Sequence, residues 1–308
     1  MRSSFLLSSA LASCLLASCV GADEASSPGG DKADDAQPGH VIVAMAESAN
    51  LADWSSTERT RALEDAAADI MASAVGESQV QVADANALAD YNLFAGAHRA
   101  ADAMAEAEDA WGTVWVEVIL ASEERVLVKP HISIVRQLGL SLDIATNVGE
   151  AQVFVAYRRN RLSMPSVDLV DSETLQPSLS VVSGYYLFSQ GEYSQADSVL
   201  VAGMAGVEDR IVSASGSQLL AMSRLGLGDY EGAREAADTV IELTPFDSGG
   251  YNIRAAISVA AAEEVGADAV ADMAMSMELD SRNADSQALL ADLIALAEGE
   301  SLSALEAL

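Results

Sequence analysis

Cysteine is confined to the start of this 308-residue chain, at Cys14 and Cys19, so whatever folds beyond them holds no disulfide, no thiol nucleophile and no cysteine-based zinc site. Lysine is nearly missing as well, present only as Lys32 and Lys129, and 16 basic residues face 47 acidic ones for a net charge of −31. A surface of that sign repels phosphate backbones, which argues against a nucleic-acid partner. Histidine is limited to His40, His98 and His131, at separations that fit no His-x-x-x-His metal pattern, and each is expected at the surface or at a cap. There is no Gly-x-Ser-x-Gly elbow, phosphate loop or Gly-x-Gly-x-x-Gly turn, and no pair of carboxylates stands out among so many. The sequence therefore assigns no catalytic residue, no metal ligand and no cofactor, and reads as non-enzymatic.

What is present is enough apolar material, 50% of residues, to bury a full core, over a length that suggests about two domains. Met1-Arg2 supplies a short positive start, and an apolar stretch from Phe5 to Leu16 follows it. That stretch falls short of the roughly 20 residues needed to span a bilayer, so it reads as a signal-peptide core. The tetrad Leu-Ala-Ser-Cys occurs twice, at 11–14 and 16–19. In this position it resembles the lipobox of bacterial lipoproteins, which implies removal of residues 1–18 and acylation of Cys19. Cleavage before Cys14 would leave an unusually short core, which favours Cys19. The resemblance implies several acyl chains, each buried methylene adding about 0.8 kcal/mol of membrane affinity. Residues 19–39 carry almost no large apolar side chain and read as a disordered tether with a reach of about 25 Å.

Residues 40–175 read as an α+β domain. His40–Ala46 has the apolar run of a buried strand, and Ser55-x-x-Glu58 forms a capping box for a helix ending near Val75. Leu63, Ala67, Ile70 and Ala74 share one face of that helix. Gln79–Ala83 alternates as a strand, and an alanine-rich helix over about 85–108 is expected to break near Gly96. A meander follows at Thr113–Leu120, Arg125–Val135, Leu140–Ala145 and Gln152–Tyr157, turning first at Glu123-Glu124. This order predicts helices packed on one side of a mixed sheet. Trp111 and Trp115 are expected in the core. Arg158-Arg159-Asn160-Arg161, the one basic cluster, reads as a turn facing the protein's own acidic surface, with a docking patch for an acidic partner as the alternative. The strand at 41–46, the helix at 57–75, the strand at 79–83 and the hairpin opening with Gly112-Thr-Val-Trp-Val116 resemble the TolB amino-terminal-like domain over about 41–135. The first strand departs from that family by lacking its Pro-Phe ending, and the family has no catalytic residues to carry over.

Residues 178–308 carry an internal repeat. Gly191-Glu-Tyr-Ser-Gln-Ala196 and Gly228-Asp-Tyr-Glu-Gly-Ala233 match at an offset of 37, and the second continues through Ala236, Val240, Leu243 and Pro245. This resembles the signature of tetratricopeptide repeats (TPRs). Gly228 permits the tight interhelical turn, Tyr230 fills the crevice, Ala233 lets two helices approach, and Pro245 stops the second helix. A third unit is expected around Ala269 and a fourth around Leu290, Gly299 and Ala304. The resemblance implies an all-α superhelix whose first helices line a concave groove, which maps to Tyr185, Phe188, Gln218, Met222, Leu225, Tyr251 and Arg254. That groove is mostly apolar with one cation, suited to an apolar peptide or to self-packing.

Taken together, the sequence describes a lipid-anchored cell-envelope scaffold or adaptor, at the outer membrane on its periplasmic or surface side, that binds an envelope protein or peptide through TPR-like repeats. The alternative is an envelope hydrolase or a sugar- or lipid-processing lipoprotein with its site in the α+β domain.

Overall fold

The computed structural model describes residues 40–47, 57–83, 88, 94–121, 126–135, 144–148, 151–155, 161–169, 172–261 and 267–280. Its amino-terminal part is a mixed sheet with helices, followed by a run of helices, as the sequence predicts.

Strand β1 (Val41–Glu47) lies between β2 (Val80–Val82) and β3 (Gly112–Ala121), parallel to both. Strand β4 (Val126–Ile134) runs antiparallel to β3 and carries two short strands on its other edge, β7 (Arg161–Ser163) and β8 (Val167–Asp168). Pro130 sits inside β4 without breaking it. Its backbone oxygen accepts from Met164 N at 2.9 Å, in the gap between β7 and β8 where ladder pairing is interrupted anyway. The missing N–H points to that same gap, so no ladder bond is lost. The expected four-strand meander is not one sheet. Among the described residues β5 (Ile144–Val148) and β6 (Ala151–Val155) pair only with each other, and the strands that complete the sheet are β7 and β8, where the sequence offered a turn at Arg161.

Helix α1 (Thr57–Val75) and helix α2 (Phe94–Ala107) belong to opposite faces of the sheet, which corrects the one-sided packing expected from the element order. The period-two pattern shows why. Val41 and Val43, with Val114, Val116 and Val118, join Leu63, Ala67 and Met71 in one buried cluster. Ile42 and Ala44, with Trp115, join Ala101 and Ala105 of α2 in two small separate clusters. α2 begins at Phe94 and runs through Gly96, and of the earlier part of the helix expected over 85–108 only Leu88 is described, in a turn. The capping-box residue Ser55, the Glu123-Glu124 turn and Arg158–Asn160 lie outside the described residues.

Six helices follow: α3 (Gln176–Ser189), α4 (Tyr193–Met204), α5 (Arg210–Leu227), α6 (Tyr230–Leu243), α7 (Ser248–Ala261) and α8 (Ala267–Leu279). They pack as three successive hairpins, and each hairpin packs on the next. The large buried cluster runs without interruption from Val41 to Met273. Among the described residues no helix is long and apolar enough to cross a membrane.

Candidate functional site

The repeat turns follow from local chemistry. Gly191 and Gly228 both adopt a left-handed conformation, with φ of 79° and 76°, which side chains disfavour. Asp229 then caps α6 by accepting from Gly232 N at 3.0 Å. The helix ends at Leu243, two residues before Pro245. Ala196, Ala233 and Ala269 are all fully buried at the equivalent position of α4, α6 and α8. Gly184 of α3 lies so close to α4 that an added Cβ would meet Leu200 at 2.6 Å. Tyr193 packs against Phe188, with ring centroids 5.2 Å apart, as a crevice-filling tyrosine should. Its counterpart Tyr230 is 38% exposed.

The groove residues divide into two sets. Tyr185, Phe188, Met222 and Leu225 are buried, the most exposed of them at 4%, so they pack inside the molecule and do not line an open groove. For α3 the reason is the α+β domain. Every residue from Ser178 to Ser189 is buried, between α1 and β4 on one side and α4 and α5 on the other. The Ser183 hydroxyl lies 3.0 Å from Met71 Sδ on α1, and Trp111 Nε1 donates to Ser189 Oγ at 3.0 Å. Burial pushes the Tyr186 phenol up to about 12, the mark of a dry junction.

Gln218, Tyr251 and Arg254 are half-buried and neighbouring. Gln218 of α5 approaches Gly249, and the Arg254 guanidinium lies 5.8 Å from the Tyr251 ring centre. Arg254 is committed internally. It grips Asp272 of α8 with two bonds of 2.6 and 2.8 Å and reaches Asp238 of α6 at 2.6 Å. The Asp272 bond above all holds its pKa up, so it stays cationic as a clamp across three helices. Exposed apolar residues lie elsewhere in the segment: Phe246 is 89% and Ile211 60% exposed. With Leu243 and Pro245 they line an open, mainly apolar cleft of about 480 Å³.

Sequence reasoning missed a polar cluster beneath α2. His98 and His131, read as separate surface or capping residues, are both buried, and their ring centroids lie 5.7 Å apart. Trp115 stacks on His131 and meets His98 edge-on, with centroids 5.0 and 4.5 Å apart. His98 Nδ1 lies 3.0 Å from Ser133 Oγ. His131 bridges Ser163 Oγ, 2.9 Å from Nδ1, and Glu117, 3.1 Å from Nε2. An ionised carboxylate only accepts, so Nε2 carries the proton and Nδ1 accepts from the Ser163 hydroxyl. The His131 hydrogen bond holds the Glu117 carboxyl below its usual range. Burial lowers the His131 pKa against the opposing pull of Glu117. Burial, then the other imidazole, brings His98 down to about 4. Both rings are therefore neutral near pH 7. The chain Ser163–His131–Glu117 has the order of an activated hydroxyl. However, the adjacent Met164 amide is bonded to Pro130 O and is not available to hold an oxyanion. The sequence carried no local signal for this cluster, because its members meet only through strand pairing and the seating of α2. Arg161 of the basic cluster pairs with Asp102 of α2 at 2.5 Å, facing an acidic group of its own chain.

Among the described residues no group of three or more His, Cys, Asp or Glu side chains is arranged to hold a metal ion. Cys19 lies outside the described residues. No family model and no curated protein matches the chain. A solved structure described as the first TPR of Spaghetti (RPAP3) bound to HSP90 peptide SRMEEVD is similar over 40% of this chain and 92% of that one, at 18% identity and a TM-score of 0.34.

Proposed function

We propose that this chain is a lipoprotein, anchored through Cys19 in the cell envelope at the outer membrane, that binds an envelope protein or peptide through its TPR-like repeats as a scaffold or adaptor. The observation that carries the binding role is where apolar side chains reach solvent. Of the seven large hydrophobic residues exposed among the described residues, six lie in the repeat segment: Val201, Ile211, Leu227, Tyr230, Phe246 and Met275. Ile211 and Phe246 share the cleft beside Pro245, so two of these side chains stand together where an apolar group of a partner could cover them. The seven groove positions support the reading less directly, since four of them are buried. Cross-linking in intact membranes, followed by affinity capture of the wild-type chain and of Phe246→Ser with Ile211→Ser, tests it. Loss of the captured species in the double variant, with its helical signal unchanged, supports the proposal. Capture indifferent to both changes counts against this face.

The Ser163–His131–Glu117 chain favours one second reading, an envelope hydrolase. A serine-reactive phosphonate probe decides it: labelling at Ser163 that His131→Gln abolishes would replace the scaffold reading for this domain.

A further inference from the structure

We infer that helix α2 is an acid-released cover over the sheet face that carries Trp115, closed while His98 and His131 are neutral. Three observations lead there. First, α2 is held by little apolar surface. Among its described side chains the fully buried apolar ones are Ala97, Ala101 and Ala105, with Ala100 and Met104 packed half-buried beside them, and the two clusters they join are separate from the continuous core that fixes α1 and α3. Alanine methyls remove far less area from water than the Leu63 and Met71 of α1.

Second, the remaining hold is polar. His98 faces Ser133, Thr113 Oγ1 donates to the Ala101 carbonyl oxygen at 2.8 Å, and Arg161 pairs with Asp102. Such an element opens locally before the molecule unfolds. Third, the two imidazoles share one dry space. A proton on either puts a cation 5.7 Å from the other ring. Among the described residues the charged groups that face the pair are Asp102 on α2, Glu117 on β3, Lys129 on β4 and Arg161 on β7. Asp102 is engaged by Arg161 and Glu117 by His131. In the open state water solvates each imidazolium.

The sign follows from linkage. The closed state holds His98 near 4, whereas a hydrated imidazole titrates near 6.5, so the open state binds the extra proton between those values. Closure is complete above about pH 6.5 and is lost progressively as the pH falls toward 4.

Hydrogen exchange of the full-length chain, corrected for the intrinsic pH dependence of exchange, tests this at pH 7.5 and 4.5. Protection of 94–107 should fall at least about tenfold at pH 4.5 while that of 57–75 and 210–227 holds. Glu106→Gln should keep the step, because it removes an exposed carboxylate of α2 that takes no part in the hold, whereas His98→Gln should abolish it. Protection of 94–107 that does not change, or that falls together with the whole chain, overturns the inference. So does a step that Glu106→Gln removes. If His98→Gln does not fold, the wild-type imidazole titration decides instead. A His98 ring proton titrating below 5 supports the cover, and one titrating near 6.5 refutes it.

Discussion

Trp115 and His131 stand directly opposite each other on β3 and β4, and their rings lie nearly parallel, 5.0 Å between centroids with 11° between planes. The stack is the floor of the face that α2 covers, and Trp115 is among the largest fully buried side chains. Trp115→Ala should cost about 3–5 kcal/mol, the usual price of an indole-sized cavity. Trp115→Phe, which keeps a ring on His131, should cost clearly less. Urea unfolding of the three proteins measures this, and equal midpoints would mean that the stack contributes nothing.

The sequence showed the repeat turns because their causes are local. A glycine must take the left-handed turn at 191 and 228, and an alanine must fill the tight contact at 196 and 233. It did not show that Tyr185 and Phe188 are covered, because a helix face reads the same whether solvent or another domain lies against it. The histidine cluster was hidden for a related reason. His98 and Ser133 are 35 positions apart, and only the register of β3 on β4 and the seating of α2 bring them together. The α+β class was legible from the order of strands and helices, while the two-sided packing needed the face of each strand.

Ala233 and Met222 test the interior of the repeats. Ala233 is fully buried, so Ala233→Leu should overpack the α5–α6 contact at a cost of about 1–3 kcal/mol. On the groove reading Met222 would tolerate a polar residue, but it is 2% exposed, so Met222→Gln should now destabilise by a similar amount through a buried amide. Thermal melts check both. A Met222→Gln protein as stable as the wild type would restore that position to an open face.

Arg254 is the cation that joins α6, α7 and α8. Arg254→Met leaves Asp272, whose side chain is 9% exposed, without its two-bonded partner. The expected loss is about 3 kcal/mol, as for a broken partly buried pair, and Arg254→Lys should restore only part of it because an ammonium cannot make the fork. Adding Asp272→Asn to Arg254→Met should recover stability. A double variant no better than the single one would remove the uncompensated carboxylate as the cause.

The anchor makes a chemical prediction. The Leu16-Ala-Ser-Cys19 tetrad behind an apolar core implies that Cys19→Ser leaves the precursor uncleaved or releases the chain from membranes. Metabolic labelling with an alkyne fatty acid should mark the wild type and not the variant. An unmodified mature amino terminus beyond Gly21, found by mass spectrometry, would remove the lipoprotein reading.

The proposed boundary between 175 and 178 falls at the start of α3, and α3 is where independence of the two parts is decided. On sequence alone a cut within 171–178 should yield two folded pieces. The buried residues Leu179, Val182 and Tyr186 belong to a cluster that also contains Met71 of α1 and Ile132 of β4. Removing 40–175 would bring much of that surface to water, and each large side chain exposed forfeits about 1.5–3 kcal/mol. The full chain should therefore melt in one transition, and the fragment 178–308 should melt at least several degrees lower and bind a hydrophobic dye that the full chain does not. Calorimetry of both proteins reads this directly. A fragment that melts at the same temperature as its helices do in the full chain would show that the repeats carry their own core, and that the contact of α3 with α1 and β4 is a docking of two finished domains.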